Sequence, residues 1–543
     1  MNMDIRLGPH TDDFEKVSDA MRANDVLARI WDRDHTVWSP DPDEIADRLG
    51  WLDVHERMRA EVPALHAFRR ELVDAGFTHA LLLGMGGSSL APEVFRKTFG
   101  VAADSLDLEI LDSTDPGAIR SKTAGLDPFR TLYIVATKSG GTVETFSMFK
   151  HCYNLSVERV GAAAAGSRFI AITDPGSGLV DTAEKYKFRR VFLNDPEIGG
   201  RYSALSLFGL VPAALLGVDL DRLLDRAAAV AAASRGPDCD AARLGIALGV
   251  LALAGRDKLT LVLPEPIASF GDWVEQLVAE STGKRGRGIL PVAGERPGGR
   301  YGADRVFAGL LLPGDDAVAA RLSALEAAGH PVIRFELDDR YDLGGQFFLW
   351  ELATAVTGHV MGIQPFDQPN VESAKVLARR MVDRYQETGA LPDGEHAAFS
   401  TEAVTRFTAG MAAGGYIAIH AYLTPDEATD RAIADFREAL REHTGAAVTA
   451  GYGPRFLHST GQLHKGDAGN GRFIQFTADA EPDLPIPDEA GSPASAMTFG
   501  TLKLSQALGD FEALRQADPP RRVIRFHLTG DPPTQIAALS VNL

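Results

Sequence analysis

Between His79 and Asp195 five short apolar runs recur: HALLLGMGG, LDLEILDSTD, TLYIVATKSGG, RFIAITD and RVFLND. They are interleaved with stretches that read as helix, one from Pro92, one through Lys150 and one ahead of RVFLND. Short Leu, Ile and Val runs alternating with helices predict a parallel sheet with helices on both faces, because strands buried on two sides have no polar face to show. The pattern restarts after the Ala-rich helices of 210–255, with KLTLVLPE, VFAGLLL and PVIRFEL, and ends in two long helices, Gly344–Met361 and Asn370–Tyr385. From about residue 400 a third set follows: YIAIHAYL, AAVTAGYG, RFIQFTAD and VIRFHL, with helices over 425–442 and 502–516 and an interrupting Pro-rich acidic loop, EPDLPIPDEAGSPAS. The expected division is an N-terminal wrap of short helices and loops (1–58), a first α/β domain (59–225), a second (226–395) and a smaller C-terminal α/β domain (396–543).

The 543 residues are enough for two to four domains and exclude a single small binding module. A formal charge of −19 sets the surface against nucleic acid and anionic membranes, so an anionic ligand needs a local positive or hydrogen-bonding pocket. Two cysteines, Cys152 and Cys239, make neither a disulfide framework nor a thiolate zinc site, which fits a reducing cytoplasm. The first residues, MNMDIRLGPHTDDFEK, hold no apolar signal core, and no apolar stretch reaches the ~20 residues that span a bilayer.

Two glycine-rich turns carry the first chemical signal. In LLLGMGGSSLAPEVF the glycines Gly84, Gly86 and Gly87 allow close backbone approach, and the amides and hydroxyls of Ser88 and Ser89 at a helix start suit an anion such as phosphate. A dinucleotide fingerprint is the competing reading, with Asp112 ending the next strand, but Ser89 stands where the third glycine belongs. IVATKSGGTVET repeats the device: Thr137, Ser139 and Thr142 surround Gly140 and Gly141, and Lys138 either adds charge or points to solvent. No G-K-[ST] follows at Walker spacing.

Further along, IGGRYSALSLFG delivers Arg201 behind two glycines, where it serves either a ligand or a surface ion pair. In DWVEQLVAESTGK, Gln276 and Glu280 are four apart and share one helix face. Glu280 is then either a general base in a partly dry site, with Arg201 to compensate its charge, or the partner of Lys284 in a surface pair. PFDQPNVESAK places Gln368 in a Pro-flanked loop and Lys375 on the helix after it. PRFLHSTGQLHKG holds His458, Gln462 and His464, and no H-E-x-x-H spacing calls for a metal.

Taken in order, GMGGSSLAP, TKSGGTVET, GGRYSALSLFG, QLVAES and PFDQPNVESAK resemble the phosphoglucose isomerase family over roughly residues 60–385. The resemblance implies two sugar-isomerase (SIS) type three-layer αβα domains with the active site between them, and a cofactor-independent, metal-free exchange of glucose 6-phosphate and fructose 6-phosphate through a cis-enediol. It implies that Gly86, Gly87, Ser88, Thr137, Ser139 and Thr142, with the Lys138 backbone, hold the sugar phosphate, and that Gln276 and Gln368 contact the ligand. Glu280 would move the proton between C2 and C1, Arg201 would stabilise the enediolate, and Lys375 would help open the sugar ring. A homodimer follows by the same analogy.

One departure from the family pattern stands out. The family's ring-opening histidine falls between the Glu and FDQ motifs, where this chain offers only His330 and His359 out of context. HSTGQLHKG, after Lys375, is the nearest match, so His458 is expected to take that role from the C-terminal part. That part is similar to the isomerase half of transaldolase/phosphoglucose isomerase fusions, and 58 residues ahead of the first domain cannot contain a transaldolase barrel. Isomerase without transaldolase activity is expected. The alternatives are a sugar-phosphate sensor without turnover and an isomerase that also takes mannose 6-phosphate.

Overall fold

The computed structural model of the protein describes residues 2–392 and 394–543. The chain opens with strand β1 (Asn2–Arg6), where the sequence reading expects only helices and loops. Its alternating residues reach the edge of a sheet formed more than 300 positions later, and it pairs antiparallel with Val332–Glu336. Trp31 and Trp38 fasten the rest of this segment, their indole N–H groups donating to Ser234 O (2.9 Å) and Ala355 O (2.8 Å). These contacts tie the segment to the second α/β unit, and Gly50 N–H to Glu197 O (3.0 Å) and Arg33 to Glu197 (3.2 Å) tie it to the first.

The first sheet holds β2 (His79–Gly84), β3 (Asp107–Leu111), β4 (Thr131–Ala136), β5 (Phe169–Thr173) and β6 (Arg190–Leu193), all parallel, in the order β3-β2-β4-β5-β6. Every residue of β4 and β5 is buried, as strands covered on both faces must be. The second sheet has the order β1-β10-β9-β7-β8, with β7 (Lys258–Val262), β8 (Leu290–Val292), β9 (Arg305–Leu311) and β10 (Val332–Glu336) parallel and β1 alone antiparallel. Strand β8 was not expected from the sequence; three residues are too few to show a period.

A four-stranded parallel sheet makes the C-terminal unit, with β11 (Tyr416–Tyr422), β12 (Ala447–Tyr452), β13 (Gly471–Ala478) and β16 (Arg522–Leu528) in the order β12-β11-β13-β16. The acidic, Pro-rich loop folds into a small antiparallel pair, β14 (Pro485–Ile486) with β15 (Met497–Thr498). Ile486, Phe499 and Leu502 then join the first unit's core beside Met148, Phe149 and Tyr153. Ionic and polar contacts tie the same faces: Asp115 caps the helix Pro116–Thr123 through Ala118 N–H and takes the Lys503 ammonium at 2.8 Å. Among the described residues no helix is long and apolar enough to cross a membrane.

The C-terminal unit also packs on the second, its Tyr416, Ala418 and Phe473 clustering with Leu290 and Val292 of β8. That placement brings His458 to the glycine turns.

Candidate active site

Strand β2 runs into a tight turn, Gly86–Ser88, and then the helix Leu90–Phe99. Gly86 has φ +55°, and a Cβ there would stand 2.8 Å from His458 O and 2.9 Å from Gln276 Nε2. At Gly87 a Cβ would fall 2.0 Å from Gly200 O. Only glycine permits this approach, so the pair seats the first turn directly against the Arg201 turn and the His458 segment. Ser88 is buried beneath them, and the Ser89 hydroxyl lies 3.3 Å from Asp112 Oδ2. Asp112 also holds Arg455 at 2.9 Å, which removes it as a free ribose-binding acid and speaks against the dinucleotide reading.

The second turn follows β4. Thr137 and Thr142 hydroxyls are 2.9 Å apart, Gly140 has φ +65°, and Thr142 precedes the helix Val143–Val160. The Lys138 ammonium pairs with Asp174 and donates to Pro196 O at 2.9 Å, so its side chain turns away from this loop and leaves only its backbone there. Ser139, Gly141 and Thr142 line a cavity of ≈ 410 Å³ together with Lys375 and His458.

Beside that cavity, the helix Phe270–Thr282 carries Gln276 and Glu280. Gln276 Nε2 donates to Glu280 Oε2 (3.2 Å) and to His458 O (2.8 Å). Glu280 Oε1 lies 3.3 Å from Arg201 Nη1, with both side chains largely buried at 13% and 3% exposure. The Arg201 guanidinium spends its other donors on Ser281 Oγ (2.9 Å), Gln368 Oε1 (3.0 Å), Pro365 O (2.8 Å) and Asp367 O (2.9 Å). A cation so completely tied is fixed in place, which is what stabilising charge at a developing oxyanion demands.

The surface pair between Glu280 and Lys284 does not form. Lys284 is buried and donates to Gln364 O (2.8 Å) and Asp367 Oδ1 (2.6 Å) instead. Burial and the nearby Arg201 charge bring its amine down to about 7 from an ordinary 10.5, against the pull of Asp367. Arg201 and Lys284 together clasp the 364–368 loop that presents Gln368.

His458 shows what the sequence could not. Its Nε2 lies 3.0 Å from Glu144 Oε1, and Gln506 Nε2 donates to the same oxygen at 2.7 Å. Burial alone would raise the Glu144 carboxyl, but His458 and, more weakly, Lys375 bring it below its ordinary value. Gln506 is itself oriented by Thr114, whose hydroxyl donates to its Oε1 at 2.9 Å. Glu144 sits inside the TKSGGTVET motif, where an acid in a first helical turn reads only as a favourable partner of the helix dipole. Gln506 carries no local signal at all.

The structure therefore gathers Gly86, Gly87, Arg201, Gln276, Glu280, Gln368 and His458 into one hydrogen-bonded neighbourhood. Ser139, Thr142, Lys375 and His458 face the adjoining cavity. Paired α/β units with hydroxyl-rich turns at their strand ends, and a carboxylate–guanidinium couple between them, define a phosphosugar-isomerase type of protein.

Comparison with known proteins agrees. Residues 50–285 match the model of the phosphoglucose isomerase family, a span that includes Ser88, Arg201 and Glu280 but stops before Gln368, Lys375 and His458. The glucose-6-phosphate isomerase of Symbiobacterium thermophilum is 29% identical over 434 residues, 68% of this chain and 92% of that protein. The glucose-6-phosphate isomerase of Thermosynechococcus vestitus is 37% identical over 215 residues, 38% of this chain and 40% of its own length. Among solved structures, a hypothetical protein from Thermus thermophilus aligns at TM-score 0.58 and 24% identity over 70% of this chain and all of its own. A glucose-6-phosphate isomerase from Chlamydia trachomatis aligns at 0.56 and 19% over 69% and 86%; both structures speak for the fold. Over residues 50–285 the chain carries a match to the phosphoglucose isomerase family.

Proposed function

We propose that the protein interconverts glucose 6-phosphate and fructose 6-phosphate through a cis-enediol, with no cofactor. The Arg201–Glu280 couple, held at 3.3 Å and joined through Gln276 to the His458 segment at the cavity wall, carries this reading. The phosphate sits at the Ser139–Thr142 turn, with the Gly86–Ser88 turn behind it. His458 protonates the ring oxygen to open the pyranose, Glu144 orients its imidazole, and Lys375 assists from the helix Val371–Thr388. Glu280 takes the C2 proton of the open aldose, the electron pair moves to the C1 carbonyl oxygen, and Arg201 stabilises the enediolate. Glu280 returns the proton to C1 while the O2 hydroxyl gives its proton to O1, leaving the ketone at C2.

All of these groups come from one chain, so the chemistry needs no residue from a second copy; a homodimer in the cytoplasm remains part of the proposal, on family analogy. A sensor that only grips phosphate would have no use for the buried Arg201–Glu280 couple. The test is fructose 6-phosphate in deuterated water, following conversion and label at C2 of the product. Wild type is expected to do both and Glu280→Gln neither; wild-type binding without turnover or label would refute an isomerase.

A further inference from the structure

The wall of the substrate cavity holds a second lysine that the functional reading above leaves unused. Lys465 lies seven residues beyond His458 on the same segment, in the short helix Gly461–Gly466, and lines the same cavity as His458 and Lys375. It is 3% exposed, and its ammonium donates to Asp510 Oδ1 at 2.7 Å and to Gly461 O at 3.4 Å. An ammonium has three donors, and these contacts engage two of them.

The support behind Lys465 is built from the C-terminal unit alone. Asp510 is fully buried; its second oxygen stands 3.2 Å from His420 Nδ1, and His420 Nε2 stands 3.2 Å from His464 Nδ1. Burial would raise the Asp510 carboxyl, but the Lys465 charge and the His420 contact hold it well below the usual range. Burial lowers both imidazoles, against the pull of Asp510. Arg521 locks the backbone of this segment from behind, donating to His464 O (2.9 Å) and Lys465 O (2.7 Å). A buried ammonium already neutralised by one carboxylate is a poor site for a second anion and a good donor to a neutral oxygen. The phosphate, moreover, has its hydroxyls and amides at the Ser139–Thr142 turn.

We propose that Lys465 is a specificity-determining residue of the isomerisation, donating its third N–H to a hydroxyl of the bound sugar while Asp510 fixes its position. The C-terminal unit then supplies two substrate contacts, one to the ring oxygen through His458 and one to a hydroxyl through Lys465. This inference rests on the isomerase reading, and the experiment separates the two: wild-type conversion of fructose 6-phosphate is measured first, and its absence overturns the isomerase reading itself.

Lys465→Met alone strands the Asp510 charge, so the informative variant is Lys465→Met with Asp510→Asn, its fold checked by thermal unfolding. The expected result is a KM for fructose 6-phosphate raised at least about tenfold, with the inhibition constant of inorganic phosphate unchanged, because the phosphate turn is untouched. An unchanged KM, or a KM and a phosphate constant raised by the same factor, overturns the proposal. If the double variant does not fold, acetylation of Lys465 in the wild-type protein is followed by peptide mass spectrometry. Fructose 6-phosphate is expected to protect it and inorganic phosphate is not; equal protection by both, or by neither, overturns the assignment.

Discussion

Glu144→Gln isolates the link between the C-terminal unit and the chemistry. The substitution keeps size and an acceptor for Gln506 but removes the charge that faces His458 Nε2 at 3.0 Å. A hydrogen bond to a charged group contributes about 1.5–3 kcal/mol. At about 1.4 kcal/mol per decade, ring opening by His458 is expected to slow roughly ten- to a hundredfold. Exchange between the α and β anomers of glucose 6-phosphate, followed by NMR saturation transfer, reads ring opening alone. Deuterium uptake at C2 reads proton transfer at Glu280, and after the open form is supplied it is expected to fall far less. The pH profile adds a sign. The folded Glu144 carboxyl lies below its ordinary 4.5, so its contribution is fully present above that value and is lost as pH falls through the lower folded value. Wild type should show this acid limb in stability and Glu144→Gln should not. Anomer exchange at the wild-type rate in the variant, or an equal loss of both reactions, would refute the reasoning.

Three further outcomes follow from the geometry. Arg201→Met leaves Glu280 and two loop carbonyls without their donor; it is expected to cost about 3–5 kcal/mol in urea unfolding and to abolish measurable turnover even where the variant folds. Gly87→Ala drives a Cβ to 2.0 Å from Gly200 O, so the two turns must part at a cost of about 1–3 kcal/mol, with kcat falling because Arg201 moves with Gly200. Lys284→Met should flatten the alkaline stability profile. The unfolded amine binds its proton below 10.5 and the folded one only below about 7, so between these values the unfolded chain holds more protons and wild-type stability rises with pH. Denaturant midpoints at pH 6, 7.5 and 9 check this; a rise of equal size in the variant would place the titration elsewhere.

Local spacing carried much of the site. Gln276 and Glu280 meet because four residues make one helical turn, and Gly86 and Gly87 announce close approach because no other residue can take their place. What the approach is to, the backbone of Gly200 and His458, is invisible in the motif. Lys138 shows the opposite limit: its place before Gly140 left open a charge at the turn or a side chain in solvent, and instead Asp174, on the neighbouring strand's loop, claims its ammonium. Lys284 is similar, since the i,i+4 rule offered Glu280 while burial beside the 364–368 loop offered Asp367.

By itself the sequence determined the parallel α/β units, through apolar runs that only strands covered on both sides tolerate, and the two turns at their ends, through glycine and hydroxyl content. Only the tertiary structure decided that β1 closes the second sheet antiparallel, that Glu144 meets His458 across 314 positions, and that Gln506 and Lys465 face the same cavity. The reason is physical. Periodicity and backbone conformation are set within one or two turns of chain, whereas those contacts arise where the surface of one folded unit fits another, and no local pattern records that fit.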